Sequence, residues 1–191
     1  MPGHTYHEKI GDMVTSIIKN DDRTYCILSN DCSRKNREGG YHALPIFRIK
    51  GDGYGLKYAR ADLLIVHDGK ITAQIEIEEQ DRSPTKLFGK ILVSAHCTFY
   101  QYKSGSDPRE KGPIPFSDHF KFIQIVRFIE TDSKQSGLPA KWKQVKMDIM
   151  EMLSKDFGHP RNLGERAIEY HLLYGSDEKI ESELSTILQK Q

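Results

Sequence analysis

Residues 59–79 leave this chain few ways to fold. Ala59–Val66 and Lys70–Glu79 are two strand-forming runs joined by His67-Asp68-Gly69, and Asp-Gly between such runs is a strong hairpin signal. The second run alternates, with Ile71, Ala73, Ile75 and Ile77 on one face and Thr72, Gln74, Glu76 and Glu78 on the other. Two carboxylates two residues apart on a strand share a side, roughly 7 Å from one another. Across the hairpin, Asp62 interrupts an otherwise apolar strand that continues as Leu-Leu-Ile-Val. Burying three carboxylates is costly unless something compensates their charge. A divalent cation would do so, and hard oxygen ligands suit magnesium or manganese.

Register decides whether the three acids meet. A plain two-residue Asp-Gly turn sets Asp62 opposite Ile75, on the face away from Glu76. A three-residue loop or one bulge sets Asp62 opposite Glu76 and Arg60 opposite Glu78. Bulges are over-represented beside active sites, so the second register is the expectation here. The alternative is a solvated sheet face on which Arg60 and Glu78 form a cross-strand ion pair.

The flanking segments fit an α/β domain. His4–Lys19 carries Ile10, Met13, Val14, Ile17 and Ile18 at helical spacing, and strands are expected at Thr24–Leu28 and Ala43–Lys50. Ser83-Pro84 is a helix start, a serine cap followed by proline at the first helical position, for a helix to about Tyr102. Phe120–Ile129 is apolar on nearly both faces and so reads as a central strand. Helices are expected at about 140–155, 162–174 and 177–190. The pattern is a central mixed β-sheet flanked by helices, with extra C-terminal helices. At 191 residues it is expected to be a single domain spanning 1–191, its core at about 4–130 and its C-terminal helical part at about 140–191. The first twenty residues hold His4, His7, Glu8, Lys9 and Asp12 where a secretory signal would be apolar, and the longest aliphatic run is four residues. No membrane span is expected. Cys26, Cys32 and Cys97 form no C-x-x-C pair and read as reduced thiols, which points to the cytoplasm.

Asp62, thirteen intervening residues, Glu76-Ile77-Glu78 and a helix opening at Ser83-Pro84 together resemble the active-site core of the PD-(D/E)xK nuclease superfamily. The resemblance covers residues 4–130, about two thirds of the chain, and implies a restriction-endonuclease-like fold. It implies that Asp62 and Glu76 bind Mg2+ (Mn2+ possible), with Glu8 of the first helix joining them as a metal ligand. Asp62, Glu76 and Glu78 become the candidate catalytic residues. The sequence departs from the family at two places: Ala61 stands where the motif has proline, and Glu78 stands where it usually has lysine. Lys86 and Lys90 on the following helix are the candidates to replace that lysine, against the plain reading of each as a surface lysine.

Between Arg34 and Arg60 there are seven basic residues against two acidic ones, within a chain whose formal net charge is only +1. Arg34, Lys35, Asn36 and Arg37 suit phosphate contacts and base-edge readout, and Arg60, Lys86 and Lys90 extend the candidate DNA-binding set. An ordinary basic loop is the competing reading. The resemblance implies a Mg2+-dependent endonuclease of double-stranded DNA, most simply a type II restriction endonuclease. Cutting both strands implies a homodimer, since one site cuts one strand. Two rivals remain: a non-catalytic DNA-binding module of the same fold, and an acidic-faced protein interaction domain.

Overall fold

Asp68 (φ 48°) and Gly69 (φ 73°) both occupy left-handed backbone, which a two-residue type I′ turn requires. They close the central hairpin with His67 opposite Lys70. The structure, a computed structural model, describes residues 5–18, 22–33, 44–48, 57–79, 83–101, 112–127, 138–154 and 167–189. Its elements are α1 (Tyr6–Ile18), β1 (Thr24–Leu28), a short 3-10 turn (Asn30–Cys32), β2 (Leu44–Phe47), β3 (Lys57–Ala61), β4 (Leu63–His67) and β5 (Lys70–Glu78). There follow α2 (Pro84–Ala95), β6 (Phe99–Tyr100), β7 (Ile114–Arg127), α3 (Leu138–Ser154), β8 (Ala167–Gly175) and α4 (Asp177–Gln189).

The hairpin has both a two-residue turn and a bulge. Val66 lies opposite Ile71 but Ile65 opposite Ala73, so Thr72 is the extra residue. Beyond the bulge Leu63 faces Ile75, and one further step brings Asp62 level with Glu76, the register expected from the sequence. The bulge also moves Ile71 to the other side of the sheet from Ala73, Ile75 and Ile77, away from the face the alternation assigned it.

The sheet is open and mixed, in the order β1-β4-β5-β7-β6-β2-β3, with β8 also paired to β7. The pairs β1·β4 and β4·β5 are antiparallel, whereas β7 runs parallel to both β5 and β8. At Asp62 the chain parts from the hairpin: β4 stays beside β5, while β3 leaves to pair with β2. Each face buries its own core. On one side Ile10 and Val14 of α1 and Ile180, Leu184 and Leu188 of α4 pack on Leu63, Ile65, Ile75, Ile77, Ile123 and Ile125. On the other, Leu87 and Ile91 of α2 and Trp142, Val145 and Ile149 of α3 join Leu64, Val66, Phe122 and Val126. Each such side chain contributes roughly 1.5–3 kcal/mol by leaving water.

Two expectations need correction. The segment 162–174 was expected to be helical, yet 167–175 is strand β8, so the C-terminal part is not wholly helical. β7 offers an edge for parallel pairing from His119 to Arg127, and Tyr170, Leu172 and Leu173 are buried against it. That pairing overrides a Leu-Leu-Tyr run that also suits a helix. The helix from Ser83 ends at Ala95 and not near Tyr102. Thr98 donates its N–H to the Phe47 carbonyl at 2.6 Å and Phe99 stacks on Phe47, which draws this stretch into β6. Among the described residues no helix is long and apolar enough to cross a membrane.

Candidate active site

The site is built where α2 lies over β5. Ser83 caps the helix, its hydroxyl accepting from Lys86 N–H, and Pro84 opens it, as expected from the sequence. Four helical residues advance about 6 Å and two strand residues about 6.7 Å. The row Lys86, Lys90, Ser94 on α2 therefore stays in step with the row Glu78, Glu76, Gln74 on β5. Lys86 Nζ lies 3.0 Å from Glu78 Oε2. Lys90 Nζ lies 2.7 Å from Glu76 Oε2 and 2.5 Å from Glu78 Oε1. Gln74 Nε2 donates to Glu76 Oε1 at 2.8 Å and to Ser94 Oγ at 2.9 Å. Next along the sheet, Gln124 is the register partner of Glu76, donates to the Leu87 carbonyl and accepts from the Tyr170 hydroxyl at 2.8 Å. Among these groups, Gln74, Glu76, Glu78 and Gln124 are each no more than 2% exposed.

Asp62, where β3 and β4 part, turns its Oδ2 onto the backbone N–H of Ile77 at 2.8 Å. Burial pushes its carboxyl above the usual range, against the pull of that N–H, Lys90 and His7, and Glu78 adds to the rise. Burial and then Asp62 push Glu76 up to about 7, although Lys90 and Gln74 favour its charged form. Burial alone would lower Lys90, but Glu76, Glu78 and Asp62 hold it well above the ordinary lysine value. Two partly exposed ammonium groups thus stand against three carboxylates, of which Glu76 and Glu78 are buried.

A second layer borders Asp62. His7 Nδ1 lies 2.6 Å from Glu79 Oε1, and His7 Nε2 is 4.0 Å from Asp62 Oδ2. Arg127 donates to Glu79 Oε2 at 3.3 Å. Burial works to raise the Glu79 carboxyl, yet His7 and Arg127 hold it below its ordinary value.

The structure therefore brings together Asp62, Glu76, Glu78, Lys86 and Lys90. Glu8 is engaged at the start of α1, where its Oε2 accepts from Thr5 N–H at 2.8 Å and Thr5 Oγ1 accepts from Glu8 N–H. That is a capping box, already present in the sequence as Thr5-x-x-Glu8. Arg60 does not meet Glu78 as the register argument expected. It is exposed in β3 opposite Pro45, because β3 has left the hairpin sheet, and Glu78 is held by the two lysines instead. The acidic row is internal, so the reading of a solvated sheet face is overturned. Arg34, Lys35, Asn36 and Arg37 lie outside the described residues. Gln74 was placed on the acidic face by its period, but its bond to Glu76 was missed. The His7–Glu79–Arg127 group was missed as well, since its members lie up to 120 positions apart.

The donor chemistry fits magnesium or manganese. Asp62 and Glu76 are hard oxygen donors at neighbouring strand ends, each pushed up by burial. Magnesium is commonly held by one or two carboxylates, with water and substrate phosphate completing its shell. Among the described residues no three or more His, Cys, Asp or Glu side chains close around one point. Comparison of the chain with protein-family models, with curated proteins and with solved structures finds no match.

Proposed function

We propose that this chain is a divalent-metal-dependent endonuclease acting on double-stranded DNA, with restriction as its role. The observation that carries the reading is Lys90. The strand position where the resembling family has lysine holds Glu78, and α2 brings a lysine ammonium to that place, 2.5 Å from Glu78 and 2.7 Å from Glu76. Asp62 and Glu76 would hold the metal, which when bound polarises a phosphoryl oxygen and lowers the pKa of a water. The chain's own groups supply the rest. Gln74 fixes which Glu76 oxygen turns toward the lysine, Ile77 N–H orients Asp62, and Lys90 offers positive charge to a phosphate that gains negative charge during reaction. An interaction domain that depends on an acidic surface is a poor fit, because Glu76 and Glu78 are each only 2% exposed.

The test is purified protein with mixed-sequence plasmid and Mg2+ or Mn2+, resolved on a gel. Discrete fragments are expected for restriction, and a smear would mean cleavage without sequence preference. Asp62→Asn and Glu76→Gln should each abolish cleavage while DNA binding persists or tightens, because negative charge beside phosphate is removed. Binding without cleavage by the unaltered protein would leave a DNA-binding module. Cleavage by either variant at the unaltered rate would remove that residue from the site.

A further inference from the structure

We propose that Lys90 is the resident cation of the acidic site, that a divalent ion binds by displacing it from Glu76, and that Glu78 retains it when displaced. This rests on the metal-dependent reading above and adds a role for the residue that breaks the family pattern. Glu76 has two oxygens. Oε1 accepts from Gln74, and Oε2 is taken by Lys90 at 2.7 Å. A metal that uses Glu76 therefore meets an ammonium already on the oxygen that faces the charges. Two cations on one oxygen of a buried carboxylate repel each other, so one must give way. Lysine can, since its charge sits at the end of a flexible four-carbon stem.

Glu78 decides where the displaced ammonium goes. It is 2% exposed, with Oε1 2.5 Å from Lys90 and Oε2 3.0 Å from Lys86. A buried carboxylate gripped by two lysines is a poor vacancy for a third cation and a good tether for either lysine. Released from Glu76, Lys90 remains fixed to Glu78, one strand repeat from the metal ligands. Glu78 is in this account a positioning residue that keeps the relocated lysine at the site, and it holds no metal.

The experiment measures Mn2+ binding to the full chain without DNA, from the electron paramagnetic resonance signal of the free ion. Lys90→Met should bind Mn2+ about tenfold more tightly than the unaltered protein, the equivalent of about 1.4 kcal/mol. Glu78→Gln should bind it more weakly, because Lys90 then has only Glu76 and Asp62 to hold. Lys9→Met, an equal change of net charge on the far face beside Asp177, should leave the affinity unchanged. Because Lys90→Met could unfold by leaving buried carboxylates unpaired, the unaltered protein provides a second measurement. Reductive methylation read by mass spectrometry should modify Lys90 several-fold faster when Mg2+ is added, with Lys9 unaffected. Mn2+ binding no tighter in a folded Lys90→Met, or Lys90 labelling indifferent to Mg2+, overturns the displacement proposal alone. Absence of Mn2+ binding in every variant and in the unaltered protein overturns the metal-dependent reading with it.

Discussion

Glu76 folds into a place that disfavours its own charge. Burial and Asp62 push its carboxyl from an ordinary 4.5 up to about 7, so the folded chain holds a proton that the unfolded chain releases. The stability linked to this group is complete below about pH 4.5 and declines as pH rises to about 7. Glu76→Gln, which is neutral throughout, should remove that decline. Its unfolding free energy at pH 8 should exceed that of the unaltered protein by on the order of 1–3 kcal/mol, read as a higher melting temperature, and the two should converge near pH 5. An unchanged or lower melting temperature at pH 8 would mean that Lys90 compensates the charge fully. Glu76 and Glu78 were legible in the sequence because a strand's period of two assigns them one face without knowledge of the fold, whereas Asp62 joins them only through the bulge. The lysines were legible only as candidates, since a helix row and a strand row come into step through packing. Nothing local reveals that the His7 ring meets Glu79 at 2.6 Å from 72 positions away.

Elements whose signals were local came out as read. The serine cap and proline of α2, the Asp-Gly turn and the apolar stripe of α1 each depend on residues a few positions apart. Substitution at Ser83 tests the element on which the site depends: Ser83→Ala should cost about 1 kcal/mol of stability. A frayed first turn would also loosen Lys86, whose N–H the serine accepts. Strand β8 was misread because its signal is not local. A run that alternates apolar residues but also places Leu172 beside Leu173 suits either structure until a strand edge is available, and β7 supplies one. The contact of α1 with the turn Asn30–Cys32 is equally invisible in sequence. A Cβ added at Gly11 would stand 2.1 Å from the Cys32 carbonyl oxygen, so Gly11→Ala should cost about 1–3 kcal/mol as the helix is forced outward. Denaturant unfolding would detect it, and an unchanged midpoint would show that helix and turn separate freely.

The two faces of the sheet differ in charge although the total is near neutral. α4 carries Asp177, Glu178, Glu181 and Glu183 against Lys179, whereas α3 on the opposite face carries Lys141, Lys143 and Lys146 in its first half, ahead of Asp148 and Glu151. The acidic site lies under α2, on the same face as α3. If DNA reaches the site, it must approach from that face, because on the other side α1 and α4 cover the sheet and α4 repels phosphate. The exposed side of α3 with Lys141 and Lys143 can then supply phosphate contacts, and the basic sequence around Arg34 and Arg37, outside the described residues, is the other candidate. Each lost phosphate contact removes a released counterion, so the slope of log affinity against log salt falls by about 1 per contact. Arg34→Ala and Arg37→Ala are expected to lower that slope by about 1 each, and Lys141→Ala with Lys143→Ala to lower it less. Fluorescence anisotropy on a short duplex at several salt concentrations measures both. A larger fall for the α3 pair would move the DNA track from the Arg34 segment to α3. A slope that no substitution changes would leave the charge segregation without a nucleic-acid role and remove the electrostatic support for the endonuclease reading.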